Sequence, residues 1–458
     1  MLVPKLEKQI GIEVYATKSF GIGGVIRKAI DDFVVEEVLV DGSKAEVGLP
    51  AKHEALGASP SPNRHLLCVL VKRNWDTLSA VKAVADQLGI SMGRINTGGI
   101  KDAKAVTAQH ITIEDASIED ARKANIKDIE VRPLGYVRSK LSSYYLLGNS
   151  FRITIRSISY SAPTVEKRIK ETVEELKSLG GAPNFFGHQR FGTTRPITHL
   201  VGKAIVKGDF KKAAMLFLAE PSPHEHPSSR LAREALQETQ DFKQALRDFP
   251  RQLRYERLML WRLVERADDY LGAFKQLPVK LQMLFPQAYQ SYLFNRFLSG
   301  RVQARLPLDR TEVGDYVVAV ERSGLPMVTM FKVVSAENHA QINKDVQARK
   351  MCLALPLIGP KQSSSLGAQG EIEKKILEQE DIVNRDFRVE GTSAMSSRGE
   401  LRSAITLLNG FSMDEVACDS DDPSKHEAKV SFTLHRGSYA TIVLRELMKT
   451  RDPLKAGF

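Results

Sequence analysis

Short apolar runs and amphipathic segments alternate along the first third of the chain. Residues 33–40 and 66–71 are mainly apolar and rich in valine and leucine, a pattern that predicts two buried strands. The segment that follows has a helical period, with Asp76 placed to cap a helix and Gly89 placed to end it. The predicted apolar face of this helix carries Leu78, Val81, Val84 and Leu88.

A third strand and a second helix are predicted between residues 151 and 179. Apolar side chains alternate with basic and polar ones over residues 151–156, which is typical of a strand buried on one face. Residues 164–179 place apolar side chains at helical spacing, and two glycines follow them. This half of the sequence therefore combines strands with amphipathic helices.

The sequence changes character from about residue 200. Charged segments with helical patterning occupy residues 209–219, 229–249 and 255–266, and the proline-rich turn 221–227 separates the first two. This shift in composition predicts that a different module begins here.

Strand-like patterns return in the last third of the chain. Residues 316–321 and 327–334 flank a Ser-Gly turn and predict a β-hairpin. Residues 431–434 predict a strand and residues 439–448 a helix, whereas the acidic loop 419–427 is predicted to be a solvated turn.

Length and charge narrow the class of protein. A chain of 458 residues exceeds the usual size of one compact core, so two domains are expected. Hydrophobic residues at 42% and charged residues at 26% are typical of a soluble globular protein. The 66 Lys and Arg against 55 Asp and Glu give a net charge of +11, which favours a polyanionic partner without identifying one.

Cysteine and histidine spacing argues against disulfides and metal sites. The three cysteines, Cys68, Cys352 and Cys418, are isolated, and His224 and His226 lack the spacing of a helical zinc motif. No stretch approaches the ~20 apolar residues of a membrane span, and the first residues contain no apolar signal region. A cytoplasmic protein with no bound metal and no membrane association is expected.

The first segment with chemical potential is TGGIKDAKAVTAQ at residues 97–109. Two glycines allow close backbone approach, and Asp102 is flanked by Lys101 and Lys104, whose charges favour an ionised carboxylate. Such a carboxylate could act as a nucleophile or a base. A β-turn with a salt bridge is the alternative, and the segment lacks the ending of a phosphate-binding P-loop.

A second segment, PNFFGHQRFG at residues 183–192, combines aromatic rings, amides and an arginine. Aromatic faces stack on bases, amides bind base edges and arginine binds phosphate, so this set suits a pocket for an unstacked nucleotide. A core aromatic cluster under a loop is the alternative.

Two further segments are less specific. Near residue 438 a predicted helix N-terminus presents Tyr439 beside Arg436, which could hold a phosphate, although a capped helix without a ligand is equally consistent. GGVIR at residues 23–27, followed by DDFVVEE at 31–37, is by itself a turn followed by a strand.

Taken in order, these segments resemble the TruD family of pseudouridine synthases over almost the whole chain. GGIKDAKAVTAQ is similar to the family's catalytic segment, NFFGHQRFG to its signature, and FTLHRGSYATIVLREL to its C-terminal motif. The resemblance implies an α+β fold whose catalytic domain has a mixed, mainly antiparallel sheet with helices packed on it. It also implies that the catalytic domain, residues 1–194 plus 396–458, is interrupted by an inserted α+β TRUD domain at residues 195–395.

The resemblance implies an enzyme that isomerises a uridine of tRNA, expected at position 13 in the D-arm, to pseudouridine. The partner is tRNA, with other structured RNA as a further candidate, and no protein partner or cofactor is expected. Asp102 would be the catalytic carboxylate and Phe186 the ring that stacks on the flipped base. The expected substrate-binding residues are Arg27, Phe33, Glu36, Lys101, Asn184, Phe186, Gln189, Arg190, Arg436 and Tyr439.

Two positions depart from the family pattern, since Arg27 stands where lysine is expected and Phe185 where tyrosine is common. The first keeps a positive charge but changes its geometry. Asp102 could attack C1′ or uracil C6, or remove the C2′ proton, and the sequence favours none of these routes. A non-catalytic RNA-binding protein and a glycosidase-like hydrolase are the rival interpretations.

Overall fold

A computed structural model describes residues 2–48 and 55–458. Its residues group into two compact units, and each unit is built from separate stretches of the chain. The sheet unit comprises Thr17–Ala182, Arg322–Leu325 and Thr406–Phe458. The helical unit comprises Met1–Ala16, Pro183–Glu321 and Pro326–Ile405. Residues 183–194 and 396–405 thus group with the helical unit, while the predicted domain limits at 194 and 396 stay a prediction.

The elements are numbered in chain order. The strands are β1 (Phe33–Leu39), β2 (His65–Arg73), β3 (Ile95–Thr97), β4 (Val106–Glu114), β5 (Ile129–Val137), β6 (Leu146–Ile158), β7 (Ala182–Pro183), β8 (Tyr316–Val320), β9 (Pro326–Val333), β10 (Met351–Leu357), β11 (Glu400–Ser403), β12 (Ile405–Thr406), β13 (Asn409–Met413), β14 (Ala417–Cys418) and β15 (His426–His435). The helices are α1 (Lys5–Gln9), α2 (Thr77–Gln87), α3 (Ile118–Arg122), α4 (Ala162–Ser178), α5 (Thr198–Val206), α6 (Phe210–Ala219), α7 (Pro227–Thr239), α8 (Phe242–Asp248), α9 (Arg254–Glu265), α10 (Tyr270–Lys275), α11 (Val279–Gln303), α12 (His339–Gln347), α13 (Gly367–Glu380) and α14 (Ala440–Met448).

The sheet unit is built on a nine-stranded sheet with the order β13-β15-β6-β1-β4-β2-β5, to which β14 adds beside β15 and β3 beside β4. The pairing of β1 with β4 is parallel, and the other strand pairs of this sheet are antiparallel. The predicted α+β class with a mixed, mainly antiparallel sheet is confirmed.

Two apolar clusters hold helices on this sheet. One joins α4 and α14 to side chains from β1, β6 and β15, including Phe33, Phe151 and Phe432. The other packs α2 and α3 on β2, β4 and β5. Asp76 caps α2 as predicted, because its carboxylate accepts a hydrogen bond from the Ser79 amide at 2.9 Å. Burial of these apolar faces supplies the main driving force for folding of the unit.

Helices α5 to α11 of the helical unit share one apolar core. A four-stranded antiparallel sheet in the order β11-β10-β8-β9 belongs to the same unit, and β8 and β9 form the predicted hairpin. The 25-residue α11 is buried along most of its length, which explains why its sequence lacks one clear apolar face. Among the described helices, none has the length and apolarity that a membrane crossing requires.

Three local predictions were wrong. Leu78 does not lie on the buried face of α2, since the residue is 56% exposed; Ala80 and Ala85 fill that face instead. Residues 229–249 form two helices, α7 and α8, because Gln240 adopts a left-handed conformation with φ 51°. The acidic loop is not fully solvated, since the buried Asp419 carboxylate accepts a hydrogen bond from the Ser157 amide at 2.7 Å.

Candidate active site

Asp102 lies in the loop that connects β3 to β4 in the sheet unit, called here the Asp102 loop (residues 98–105). This loop ends where β4 begins, and β4 runs parallel to β1 with Val106 beside Val34. Parallel neighbours begin at the same edge of a sheet. The segment before β1, which carries Arg27, is therefore brought to the loop before β4, which carries Asp102.

The Asp102 carboxylate is held at one oxygen. Arg27 Nη2 donates to Asp102 Oδ1 at 3.0 Å, whereas Asp102 Oδ2 forms no hydrogen bond within the described part of the chain. The Asp102 side chain is 33% exposed, in contrast to 13% for Arg27. The site thus orients a carboxylate and leaves one of its oxygens accessible.

The Arg27 guanidinium has further contacts that fix its position. Its Nη1 donates to the Gly457 carbonyl at 3.1 Å, and its Cζ atom lies 4.0 Å from the centroid of the Phe33 ring. Burial lowers the pKa of Arg27, and the charge of Asp102 opposes that shift. Arg27 also has a φ of 58°, which is uncommon for a residue with a side chain and often accompanies a functional site.

Lys72 anchors the backbone of the Asp102 loop from below. Its ammonium donates to the Asp102 carbonyl at 2.7 Å and to the Trp75 carbonyl at 2.6 Å. The side chain is buried on β2, and burial lowers the pKa of Lys72 to about 8, against the opposing charge of Asp102. The sequence analysis missed Lys72, although a lysine at the end of the buried strand 66–71 was an available signal.

Lys101 is also turned toward the interior. Its Nζ lies 2.7 Å from Glu37 Oε1, and its amide donates to Thr77 Oγ1 at 2.9 Å. Burial tends to raise the pKa of Glu37, but Lys101 and His110 outweigh it and the pKa is lowered. Lys101 stays a predicted substrate contact, yet here its charge stabilises the loop. Glu37, Thr77 and His110 were not singled out from the sequence.

Phe33 and Glu36 lie on β1, and both are buried. Phe33 packs edge-on against Phe151 at 6.3 Å between ring centroids, and its face lies under Arg27. Glu36 accepts a hydrogen bond from the Val47 amide at 2.9 Å and pairs with Lys44 at 2.5 Å. The structure therefore places Phe33 beside the Arg27–Asp102 pair and directs Glu36 to a different set of partners.

In the helical unit, Asn184 and Phe186 form a cluster with Arg402, which the sequence analysis missed. The Asn184 Oδ1 accepts from Arg402 Nη2 at 2.7 Å, and its Nδ2 donates to the Ser403 carbonyl at 3.1 Å. Arg402 Cζ lies 3.9 Å from the centroid of the Phe186 ring. Both predicted base contacts are thus buried and bonded within the protein in this structure.

The neighbours of this cluster differ in exposure. Gln189 is exposed, whereas Arg190 is half-buried and donates to Ser291 Oγ and Gln287 Oε1, each at 3.2 Å. The Asn295 side chain fixes the backbone of Phe186, because its Oδ1 accepts from the Phe186 amide at 2.8 Å and its Nδ2 donates to the Phe186 carbonyl at 3.1 Å. The roles of these residues toward RNA stay predictions.

Arg436 and Tyr439 lie between β15 and α14 in the sheet unit. Arg436 is exposed, and its Nη1 donates to the Ser143 carbonyl at 2.5 Å. Tyr439 immediately precedes α14 and is half-buried. Of the predicted site residues, the structure thus groups Arg27, Phe33, Lys101 and Asp102, while Asn184, Phe186 and Arg190 form a second group in the helical unit. A search of the described residues for clusters of three or more metal-binding side chains finds none.

Comparisons with known proteins agree with this architecture. The TruD family, tRNA pseudouridine synthase D, matches residues 9–447. A Methanosarcina barkeri protein named "Probable tRNA pseudouridine synthase D" is 39% identical over 455 residues, covering 99% of this chain and 100% of that protein. A Thermococcus onnurineus protein of the same name is 37% identical over 435 residues, covering 95% and 97%. The crystal structure of a TruD protein from Methanosarcina mazei has a TM-score of 0.84 and 38% identity, covering 99% and 100%.

The mainly antiparallel sheet and the matches over nearly the whole chain define an enzyme of the pseudouridine-synthase class. The chain belongs to the TruD family of tRNA pseudouridine synthases, and the family predicted from its ordered motifs is confirmed. Members of this family isomerise uridine in RNA to pseudouridine. The residues that carry out this reaction here are a matter for proposal.

Proposed function

We propose that the protein converts a uridine of tRNA to pseudouridine and that Asp102 is the reacting carboxylate. The observation that carries this proposal is the contrast between the two Asp102 oxygens. Oδ1 accepts from Arg27 at 3.0 Å, and Oδ2 has no hydrogen-bond partner among the described residues. A held and accessible carboxylate is what a nucleophile or base requires.

The chemistry of the isomerisation is internally balanced. The N1–C1′ bond breaks, the uracil turns while it is held, and C5 bonds to C1′, so the product has the same atoms as the substrate. Asp102 acts on C1′ or on uracil C6, or it removes the C2′ proton, and all three routes use an ionised carboxylate. Arg27 orients that carboxylate and supports its negative charge through a charge-assisted hydrogen bond.

The uridine reaches Asp102 only after it leaves the base stack. Flipping costs about a few kcal/mol, which contacts to the flipped base and the backbone offset. Asn184 and Phe186 are the proposed contacts to the base on the strength of the family resemblance. The same resemblance supports uridine 13 of the D-arm as the target, and Gln189 and Arg190 as further substrate contacts.

The proposal is tested by carbodiimide mapping of pseudouridine in tRNA transcripts after incubation with enzyme. We expect wild type to modify one uridine of the D-arm, and a transcript with cytidine at position 13 to remain unmodified. Asp102→Asn should bind the transcript but reduce turnover by at least about a thousandfold. Asp86→Asn, at an exposed aspartate on α2, is the matched control and should retain full turnover.

Each rival interpretation leaves a distinct signal in this experiment. A non-catalytic RNA-binding protein would bind the transcript and leave every uridine unchanged. A glycosidase-like hydrolase would release free uracil and leave abasic sites. Appreciable turnover by Asp102→Asn would remove Asp102 from its proposed role, even if the wild type forms pseudouridine.

A further inference from the structure

Two large apolar side chains project into solvent, one from the Asp102 loop and one from a loop that packs against it. Ile100, in the Asp102 loop itself, is 72% exposed, and Tyr144 is 82% exposed. Tyr144 lies in the segment between β5 and β6, called here the rim loop (residues 138–145). Single exposed apolar residues are common on proteins, but two on loops that pack together, one of which carries Asp102, indicate a contact surface.

The rim loop packs directly against the Asp102 loop. A Cβ atom placed on Gly98 would lie 3.7 Å from the Ser142 carbonyl oxygen and 3.8 Å from Leu141 Cδ2. A Cβ atom on Gly99 would lie 3.5 Å from Leu146 Cδ2. Gly98 thus permits close contact between the two loops, and Gly99 permits close contact with the start of β6. Tyr144 is two residues from Ser142, which the chain spans in roughly 7 Å at most. Asp102 is three residues from Gly99, which the chain spans in roughly 11 Å at most.

The turn that presents Tyr144 is anchored on both sides. Arg436 donates to the Ser143 carbonyl through Nη1 at 2.5 Å and to the Leu147 carbonyl through its amide at 2.9 Å. The Leu141 amide donates to Thr112 Oγ1 at 3.0 Å on the neighbouring strand β4. Tyr144 is therefore held out by a fixed backbone, which lowers the entropic cost of using it as a contact.

The charge around Tyr144 is positive. The rim loop has the sequence RSKLSSYY and contains no acidic residue, and in the Asp102 loop Asp102 is the sole acid. Arg138, Lys140 and Lys104 are exposed, and none of the three forms an ion pair with a described residue. An exposed aromatic ring among unpaired cations matches the chemistry of unstacked RNA, whose bases stack on rings and whose phosphates bind cations.

We propose that the rim loop is an RNA-binding surface in which Tyr144 stacks on a nucleotide adjacent to the flipped uridine. Arg138 and Lys140 bind the phosphates that flank this nucleotide. The inference rests on the proposed function for its choice of RNA as the partner, and it assigns a binding role to residues outside the predicted site. Tyr144 positions the substrate and takes no part in the bond changes.

The first test compares Tyr144→Ala with Tyr144→Phe on a tRNA transcript. Tyr144→Ala should lower the affinity for tRNA by about 5- to 150-fold, the effect of losing one base stack. Tyr144→Phe keeps the ring and should retain affinity within about threefold. Because Tyr144 is exposed, both variants should fold like wild type, and thermal unfolding checks this. Tyr255→Ala removes an exposed ring of the helical unit and serves as the matched control.

The second test measures the salt dependence of binding. A double variant, Arg138→Ala with Lys140→Ala, should make the slope of log affinity against log salt shallower. The expected change corresponds to the loss of about one to two phosphate contacts. Wild-type affinity of Tyr144→Ala overturns the proposed stacking, and an unchanged slope of the double variant overturns the proposed phosphate contacts. Both results together leave a protein partner as the occupant of this surface.

The two proposals fail in different ways. If wild type forms no pseudouridine, the proposed function fails, but the affinity of Tyr144→Ala for tRNA still decides whether the rim loop binds RNA. If wild type forms pseudouridine and Tyr144→Ala equals it in affinity and turnover, only the rim-loop inference is overturned.

Discussion

The Asp102 loop of the sheet unit and the segment 184–192 of the helical unit hold their polar side chains in opposite ways. In the Asp102 loop, the buried Lys72 binds the Asp102 carbonyl and the buried Glu37 pairs with Lys101. One oxygen of the Asp102 carboxylate stays accessible. In the second segment, the Asn184 amide and the face of Phe186 are themselves bonded to Arg402. The difference shows that a candidate reactive group is recognised by a polar atom that has no partner within the described protein.

This contrast also assigns different consequences to mutation. A buried polar group that loses its partner costs free energy of unfolding, whereas an accessible group that is removed costs mainly activity. Substitutions in the Asp102 site should therefore change mainly turnover, whereas substitutions in the Asn184 cluster should lower stability as well as binding of the base.

Apart from the loss of turnover in Asp102→Asn, the largest effect is expected at Arg27. Arg27→Met removes a charge-assisted hydrogen bond to Asp102 and should lower the single-turnover rate of pseudouridine formation by about 10- to 150-fold. Arg27→Lys keeps a positive charge but lacks the planar guanidinium, so its single-turnover rate should lie between those of Arg27→Met and wild type. Affinity for tRNA, measured in parallel, should change little. A wild-type rate for Arg27→Met would show that the ion pair does not orient the reacting carboxylate.

A smaller effect, on stability, is expected at Asn184. Asn184→Ala leaves Arg402 without its amide acceptor and should lower the free energy of unfolding by about 1–3 kcal/mol. The chain has two tryptophans, Trp75 in the sheet unit and Trp261 in the helical unit. Urea unfolding in a Trp75→Phe background therefore follows the helical unit through Trp261.

The matched control for Asn184 is Asp102→Asn. Its ion pair is partly exposed, and its loss should cost at most about 1 kcal/mol in a Trp261→Phe background. The comparison between the two regions fails if Asp102→Asn destabilises its unit more than Asn184→Ala destabilises the other.

The last effect is the pH dependence that Lys72 contributes to stability. Burial lowers the pKa of Lys72 from 10.5 to about 8, so between these values the unfolded chain binds more protons than the folded one. The free energy of unfolding should therefore rise with pH between these two values. Below about pH 8 the full cost of burying the charged ammonium is present. Urea midpoints of wild type and Lys72→Met at about pH 7 and about pH 10 measure the difference.

Lys82→Met, at an exposed lysine on α2, controls for the loss of one charge. As pH rises, the stability of wild type should increase relative to that of Lys72→Met. The difference in stability between wild type and Lys82→Met should stay constant. Parallel pH profiles for wild type and Lys72→Met would mean that Lys72 titrates near its ordinary value in the folded protein.

Much of the fold was predictable because local patterns decide it. The period of residues 77–88 and the capping position of Asp76 specify α2 without reference to the rest of the chain. The alternation in residues 151–156 likewise specifies which side chains of β6 face the core. Leu78 was misplaced because the small residues Ala80 and Ala85, which fit closely against the sheet, fill the inward face.

The partners of the site could not be read from the chain. Lys72 and Asp102 are 30 positions apart, and Arg402 and Asn184 are 218 apart, so only the folded arrangement brings them together. The pairing of β1 with β4 decides that Arg27 faces Asp102, and no local pattern specifies which strands become neighbours.

By itself the sequence determined the elements, the family motifs and a glycine-led acid at Asp102, since short-range sterics and the spacing of apolar residues depend on nearby positions alone. Only the tertiary structure decided which charges are buried in pairs and which oxygen of Asp102 is left accessible. It also decided that Tyr144 lies exposed on a loop that packs against the Asp102 loop at Gly98. The physical reason is that burial and hydrogen-bond partners are properties of the packed chain as a whole.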